Sequence, residues 1–229
     1  MRRSITIRAE SWPAIIPFRI SNHAWDDFPC VVCEIEQDGL LGRGEALGVY
    51  YLDETTESMA AELEAIIPEL ETGADQQRLL ELLPPGGARM AADAALWDLE
   101  AQITGRSAWS MAGVEEGPIE TVFTIGLEDT PEAMAAKAAA AADISLFKVK
   151  LGADRPVERI TAIREARPDA RMVVDINQGW TFDELQQHAP ALQALGVSMI
   201  EQPLPRGGDS DLEGYEPPLP LCGDESCLH

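Results

Sequence analysis

Three acidic residues recur at a nearly constant interval in the second half of the chain, each directly after a short apolar run. Asp175 and Glu201 stand 26 residues apart, and Asp224 follows 23 residues later. One strand and one return helix of a parallel barrel take about that many residues. Because the carboxyl ends of parallel strands meet at one edge of a sheet, the spacing predicts that three successive strands deliver one carboxylate each to a shared site.

A lysine pair precedes these acids by one further interval. Lys148 and Lys150 end an apolar segment, and Lys150 lies 25 residues before the first acid; Lys137 is the only other lysine of the chain. Residues two apart on a strand share a face, so both lysines of the pair are expected to point into the barrel. Two neighbouring ammonium groups repel, which is expected to lower the pKa of one of them toward a value useful for a base.

Each of these residues also has a plain structural interpretation. An acid after a strand often caps the next helix or pairs with an arginine, and a lone Lys-x-Lys often marks a solvated strand end. No structural reason demands two lysines inside a sheet beside three acids. The combination therefore favours a site for a hard divalent cation and a carboxylate-bearing substrate.

The first half of the chain has the pattern of an α+β domain over residues 1–115. Strands are predicted at Ile5–Ala9, Val31–Ile35 and Leu40–Glu45, with a hairpin turn at Asp38-Gly39 between the last two. Helical periodicity at three and four residues follows from Met59 onward. An antiparallel sheet followed by helices predicts a small domain that caps what comes next.

Residues 116–229 alternate between apolar strands and helices, which predicts an α/β TIM-type barrel. The predicted strands are Thr121–Leu127, Ser145–Leu151, Met172–Ile176, Val197–Gln202 and Leu219–Gly223, with a further helical stretch at Asp211–Tyr215. About five of eight barrel strands are thus present. An open barrel exposes two edges, so we expect either further chain or association of copies as a homo-oligomer to cover the gap.

Composition narrows the choice of partners. A formal charge of −23 argues against nucleic acid and anionic membrane, because both would be repelled. No apolar stretch approaches the roughly 20 residues of a membrane span, and the amino terminus leads into a predicted strand rather than a signal-peptide core. Four cysteines form no dense disulfide framework. A cytoplasmic protein with a small-molecule carboxylate substrate is the resulting expectation.

The segments that contain the lysines and acids resemble the enolase superfamily, in its muconate-lactonizing branch. The matching barrel segments are Phe147-Lys148-Val149-Lys150-Leu151-Gly152, Val174-Asp175-Ile176-Asn177-Gln178-Gly179-Trp180, Ile200-Glu201-Gln202-Pro203-Leu204 and Gly223-Asp224-Glu225-Ser226. Two earlier segments, Gly42–Glu45 and Ala94–Leu99, resemble the capping domain of that family. The arrangement is most similar to that of dipeptide epimerases.

The resemblance implies a magnesium ion, with manganese as an alternative, held by Asp175, Glu201 and Asp224. In this family the ion binds the substrate carboxylate and stabilises the enediolate that forms when the α-proton leaves. By family position Lys150 is the base on one face of the α-carbon. Lys148 contacts the carboxylate and lowers the pKa of Lys150.

Four further residues are candidates for contacts in or around the site. Asn177 is expected to hydrogen-bond the ligands or the substrate, and Glu225 faces the other way from its neighbouring acid and supports the site. Thr124 resembles a threonine that contacts substrate in dipeptide epimerases. His23 stands where epimerases for acidic dipeptides have an arginine, and Arg19 nearby falls in a different register, which weakens Ala-Glu as the expected substrate.

These expectations describe a magnesium-dependent racemase or epimerase that acts on the α-carbon of a carboxylate substrate, with a dipeptide as the leading choice. Family members invert the α-carbon with a lysine from the sixth barrel strand, on the opposite face, and hold the ammonium group of the dipeptide with acids from the eighth strand. Neither strand is found in these 229 residues, so this chain by itself is not expected to epimerise. The alternatives are an o-succinylbenzoate synthase, an N-acylamino acid racemase or a cycloisomerase of the same branch, or a truncated inactive paralogue that retains the fold.

Overall fold

A computed structural model describes residues 2–228 and shows two compact units. The boundary along the chain falls at Pro118, except that the short segment Ile16–Asp26 belongs to the second unit. Strand β1 (Ser4–Arg19) therefore ends in that segment, and strand β2 (Ala24–Gln37) begins in it. The segment is encoded early in the chain, yet it is part of the unit that contains the lysines and acids.

The first unit contains a three-stranded sheet in the order β1-β2-β3. Strand β3 (Leu40–Leu47) runs antiparallel to β2 and follows a two-residue turn. The turn residues Asp38 and Gly39 have φ angles of 54° and 82°, and positive φ at both positions is what a type I′ hairpin turn requires. The predicted hairpin is confirmed.

Helices complete the first unit. They are α1 (Thr56–Ala65), α2 (Ile67–Glu71), α3 (Gln76–Leu82), α4 (Gly87–Thr104) and α5 (Ala108–Ala112). Thr55 and Asp75 cap α1 and α3 by accepting hydrogen bonds from backbone N–H groups of the first turn. Within residues 2–228, no helix is long and apolar enough to cross a membrane.

Helix α4 lies close against β3 because two glycines of that strand carry no side chain. A Cβ atom on Gly42 would lie 2.2 Å from the carbonyl oxygen of Ala95, and one on Gly44 would lie 2.0 Å from that of Ala91. The alanines of the helix face that meets the strand are fully buried. Strand and helix thus approach backbone to backbone, and this contact forms the centre of the first unit.

We predict that Gly44→Ala destabilises the first unit by at least about 2 kcal/mol, since the added methyl group must displace α4 from β3. Urea unfolding followed by circular dichroism measures the change. Gly117→Ala is the matched control, because a Cβ atom there meets no atom within 4 Å. Equal stability of the two variants would contradict the close packing of α4 on β3.

The second unit is built on a five-stranded sheet whose strands follow one another in sequence order. The strands are β4 (Phe123–Ile125), β5 (Leu146–Lys150), β6 (Arg171–Asp175), β7 (Val197–Glu201) and β8 (Leu221–Cys222), and every neighbouring pair is parallel. Helices α6 (Pro131–Ala140), α7 (Pro156–Ala166) and α8 (Phe182–Ala194) connect β4 to β7. Sequential parallel strands with return helices form part of a TIM-type barrel wall, as predicted.

The two edge strands are shorter than the sequence predicts. Strand β4 has three residues where Thr121–Leu127 was expected, and β8 has two where Leu219–Gly223 was expected. In the part of the chain that is described, each pairs with one neighbour only, so fewer backbone groups are fixed in a ladder. The helix expected at Asp211–Tyr215 is a short 3-10 helix at Asp209–Leu212.

Two arginines near the end of α7 fix the amino ends of the central strands. Arg167 donates to the carbonyl oxygen of Ile144 at 2.7 Å, in the loop before β5. Arg164 donates to Ala170 at 2.6 Å and to Leu195 at 2.9 Å, in the loops before β6 and β7. These bonds hold together the loops that lead into β5, β6 and β7.

Candidate metal centre and lysine pair

Three carboxylates meet at the carboxyl ends of β6, β7 and β8. Asp175 and Glu201 are the last residues of their strands, and Asp224 lies two residues beyond the end of β8. One carboxylate oxygen from each residue lies within 4.8 Å of the other two. Asp175 is fully buried, Glu201 is half-buried and Asp224 is exposed. Three oxygens at these separations can share one small cation.

The strand register explains this convergence. Lys150 pairs with Asp175 across β5 and β6, and Asp175 pairs with Glu201 across β6 and β7. Paired residues of neighbouring strands point to the same face of the sheet. Glu201 also pairs with Cys222 of β8, so Asp224, two residues further on, returns to that face.

The two lysines bind the acids directly. The Nζ atom of Lys148 lies 2.6 Å from Glu201 Oε1 and 2.9 Å from Asp175 Oδ2. The Nζ atom of Lys150 lies 2.6 Å from the same Oδ2 atom of Asp175. The buried aspartate therefore stands between two ammonium groups, and its negative charge offsets their mutual repulsion.

These contacts determine the direction of the pKa shift at Lys148. Burial acts to lower the pKa of Lys148, but hydrogen bonds to Glu201 and Asp175 outweigh it and raise the pKa above that of an ordinary lysine. Burial raises the pKa of Glu201 despite its ion pair with Lys148. Because of this raised pKa, Glu201 stays protonated up to a higher pH than an ordinary glutamate. A proton therefore competes with a cation for its carboxylate up to that higher pH.

Asn177 and Glu225 connect the lysine to the acids. The side-chain oxygen of Asn177 accepts a hydrogen bond from Lys150 at 3.0 Å, and its backbone N–H donates to Asp175 Oδ1 at 2.9 Å. Its amide nitrogen donates to Glu225 Oε1 at 3.2 Å. Glu225 is 2% exposed, and burial raises its pKa. Asn177 thus holds Lys150 and Asp175 in a fixed relation.

The segment Ile16–Asp26 is anchored at the same end of the sheet by a residue that sequence reasoning missed. The hydroxyl oxygen of Ser21 lies 2.6 Å from the carbonyl oxygens of both Leu151 and Ile176. These two residues directly follow the buried lysine of β5 and the buried aspartate of β6. A single serine carries no spacing or charge pattern, so the sequence held no signal for this contact.

The two remaining candidates, Thr124 and His23, lie in different parts of the second unit. Thr124 is paired with Lys148 across β4 and β5 and is half-buried, so the sheet brings it alongside the lysine pair. It also lines a groove of about 590 Å³ beside β4. His23 lies in the anchored segment, with its ring edge-on to Trp25 at 4.2 Å between ring centroids.

Comparison with known families agrees with this architecture. Residues 2–113 match the "Mandelate racemase / muconate lactonizing enzyme, N-terminal domain", and residues 132–229 match "Enolase C-terminal domain-like". The chain belongs to the mandelate racemase/muconate lactonizing enzyme branch of the enolase superfamily. The resemblance given by the strand-end motifs is confirmed.

Two relatives of this enolase-superfamily chain are named for isomerisation reactions. The L-Ala-D/L-Glu epimerase of Escherichia coli (strain K12) is 38% identical over 229 residues, which cover 98% of this chain and 71% of the relative. The N-acetyl-D-glutamate racemase of a Pseudoalteromonas species is 34% identical over 199 residues, which cover 86% of this chain and 63% of the relative. The chain thus spans roughly two thirds of the length of these relatives.

Solved structures of the superfamily show the same fold. An enolase family member from Agrobacterium tumefaciens with homology to dipeptide epimerases, bound to sodium and L-Ala-L-Glu, has a TM-score of 0.93 and 36% identity, covering 98% of this chain and 69% of its own. The dipeptide epimerase of Methylococcus capsulatus, with magnesium and L-Arg-D-Lys, has a TM-score of 0.89 and 32% identity. The match covers 100% of this chain and 69% of the epimerase chain.

The chemistry of the acidic cluster fits a magnesium ion. All three donors are carboxylate oxygens, the hard ligands that Mg²⁺ prefers. Asp175 has no exposed surface, and burial of a carboxylate costs free energy that positive charge beside it offsets. In this structure the lysines supply that charge, and a dication would supply more of it.

We predict that Lys148→Met raises the affinity for Mg²⁺ by about fivefold, corresponding to about 1 kcal/mol. The ammonium group of Lys148 bonds to Glu201 and Asp175, so it competes with a cation for their oxygens and repels it. Isothermal titration calorimetry measures the affinity.

Lys137→Met is the matched control for this prediction. Lys137 lies on α6 and pairs with Glu128 in the same unit, so its removal is expected to leave Mg²⁺ binding unchanged. Weaker Mg²⁺ binding by Lys148→Met than by the control variant would contradict competition between lysine and cation.

Proposed function

We propose that this protein is a magnesium-dependent isomerase of the racemase and epimerase type, which removes the α-proton beside the carboxylate of a dipeptide. The observation that carries this proposal is the convergence of Asp175, Glu201 and Asp224 next to Lys148 and Lys150 at one end of a parallel sheet. A proton α to a carboxylate is very weakly acidic, so its removal needs a base and concentrated positive charge in one place.

Each side chain has a distinct role in this proposal. Asp175, Glu201 and Asp224 hold Mg²⁺, or Mn²⁺ as an alternative, and the bound ion supplies positive charge for the substrate carboxylate. Lys148 contacts that carboxylate as a second cation. Lys150 would first release one proton from its ammonium group to solvent, and its neutral Nζ atom would then take the α-proton; the bonds that Lys150 makes at one end of the sheet keep that atom on a single face of the substrate.

A dipeptide is the favoured substrate class because of what the relatives are named for. The Escherichia coli relative is an L-Ala-D/L-Glu epimerase, and the Agrobacterium structure contains L-Ala-L-Glu. Thr124 and His23 are the proposed contacts to the dipeptide, and Ser21 holds the segment with His23 against the sheet. Arg19 of that segment pairs with Asp129 at 3.0 Å while 51% exposed. Because an exposed ion pair contributes little free energy, Arg19 can leave Asp129 and pair instead with an acidic side chain of a dipeptide.

Inversion of the α-carbon requires a proton donor on the face opposite the base. Lys137, the third lysine of the 229 residues, lies on α6 and pairs with Glu128. We therefore expect the 229-residue chain to exchange the α-proton with retention of configuration. Epimerisation by the whole protein then needs a group beyond those described here.

A cycloisomerase is the second candidate function, and the confinement of Lys148 and Lys150 to one face favours it. A reaction that moves a proton on a single face needs no opposite donor. Chloromuconate cycloisomerase of Cupriavidus necator is 31% identical over 194 residues, covering 77% of this chain and 52% of the relative. Dipeptides would not exchange protons in such an enzyme.

We predict that the chain, incubated with Mg²⁺ and dipeptides in deuterium oxide, incorporates deuterium at the α-carbon of the residue bearing the carboxylate. Mass spectrometry detects the label, and a chelator should abolish its uptake. Lys150→Ala should lower the uptake at least about 100-fold, as expected on loss of a general base. Lys137→Ala serves as control and should retain the full rate.

Two outcomes would count against the proposal. Unchanged uptake in Lys150→Ala removes that residue as the base. No uptake with any dipeptide, together with Mg²⁺ binding, favours the cycloisomerase over the epimerase.

A further inference from the structure

Gln202 is buried at the carboxyl end of β7, directly after Glu201, with 1% of its surface exposed. Its backbone N–H donates to Cys222 at 2.8 Å, and its carbonyl oxygen accepts from Gln178 at 2.9 Å. The backbone of Gln202 therefore continues the sheet by one residue on both sides. Its φ angle is 34°, in the left-handed region that a side chain rarely occupies.

The side-chain amide of Gln202 makes every hydrogen bond of which it is capable. Its oxygen accepts from the backbone N–H groups of Asp224 at 2.9 Å and Ser226 at 3.1 Å. Its nitrogen donates to the carbonyl oxygen of Leu204 at 2.8 Å and to the hydroxyl of Ser226 at 2.9 Å. A primary amide has two acceptor sites and two donor hydrogens, so none is left unused.

This amide acts where the sheet ends. The ladder between β7 and β8 ends with the bond from Gln202 to Cys222, and Asp224 lies in the loop beyond it. The other two acids of the cluster lie within strands, where parallel register fixes them. The backbone N–H of Asp224 is instead bonded to a side chain, so the position of the third acid depends on Gln202.

We infer that Gln202 is a positioning residue of the metal centre: it sets the distance between Glu201 and Asp224 and so makes the site selective for Mg²⁺ over larger dications. This rests on the proposed metal-dependent function. Mg²⁺ demands nearly ideal octahedral geometry at about 2.0–2.1 Å, whereas Ca²⁺ accepts variable geometry at about 2.3–2.6 Å. A loosely held third carboxylate therefore weakens Mg²⁺ binding more than Ca²⁺ binding.

The test is the ratio of Mg²⁺ to Ca²⁺ affinity in Gln202→Met, measured by isothermal titration calorimetry. Methionine keeps the length of the side chain and removes all four hydrogen bonds. Groups that orient metal ligands typically change affinity by about 10- to 100-fold. We expect Mg²⁺ affinity to fall by at least about tenfold and Ca²⁺ affinity by less than about threefold. General destabilisation would lower both affinities together.

Two variants serve as comparisons. Gln193→Met removes a hydrogen bond from an exposed glutamine of α8 to the carbonyl oxygen of Pro218, and it should leave both affinities unchanged. Gln202→Glu retains oxygen atoms that can accept from Asp224 and Ser226, so its affinity ratio should return toward that of the unmodified chain. The ratio is informative because an added negative charge acts on both dications alike.

The outcomes separate this inference from the proposed function. If the unmodified chain binds neither ion, the proposed function fails and the inference fails with it. If it binds Mg²⁺ and Gln202→Met keeps the same affinity ratio, the inference is overturned while the proposed function stands. A ratio in Gln202→Glu as low as in Gln202→Met would also overturn it, and this comparison holds even where methionine reduces folding yield.

Discussion

The arrangement of the site depends on one buried carboxylate, Asp175, held between the ammonium groups of Lys148 and Lys150. A buried charge is costly unless it is paired, and each of these three charges is tolerated because of the others. The parallel register of β5, β6 and β7 favours the pairing, since it places Lys150 beside Asp175 and puts Lys148 on the same face two residues earlier. Strand alignment therefore brings two of the three acids together with the lysines, and Asp224 joins them from the loop after β8.

Much of this arrangement could be predicted from sequence because it depends on strand periodicity. The spacing of Asp175, Glu201 and Asp224 matches one strand and one return connection per acid, although the connection before Asp224 contains only a short 3-10 helix. The Asp38-Gly39 turn has an unambiguous local signature. What could not be predicted depends on contacts between distant segments. The hydrogen bonds of Ser21 and Gln202 leave no periodic pattern, and the extent of β4 and β8 depends on how many neighbours each strand has. The raised pKa of Lys148 reflects the exact placement of two acceptors.

The site combines rigid and adaptable parts. Asp175, Glu201 and Lys150 belong to strands whose amino ends are fixed by arginines, so their relative positions are set by the fold. Asp224 lies in a loop, and the segment Ile16–Asp26 is bonded to the end of the sheet through Ser21 and through the backbone of Arg19. Relatives named for different dipeptides share this fold. In the proposed function, a fixed centre for proton removal lies beside a separately anchored segment, so substrate preference can change without disturbing the proposed metal ligands.

The most direct test of this account is a crystal structure of the chain grown in Mg²⁺. The account predicts one octahedral ion with an oxygen of each of Asp175, Glu201 and Asp224 at about 2.1 Å, and Lys150 beside it on one face. A structure in which Mg²⁺ is absent from these three residues at saturating concentration, with Lys148 still bonded to Glu201 and Asp175, would contradict it.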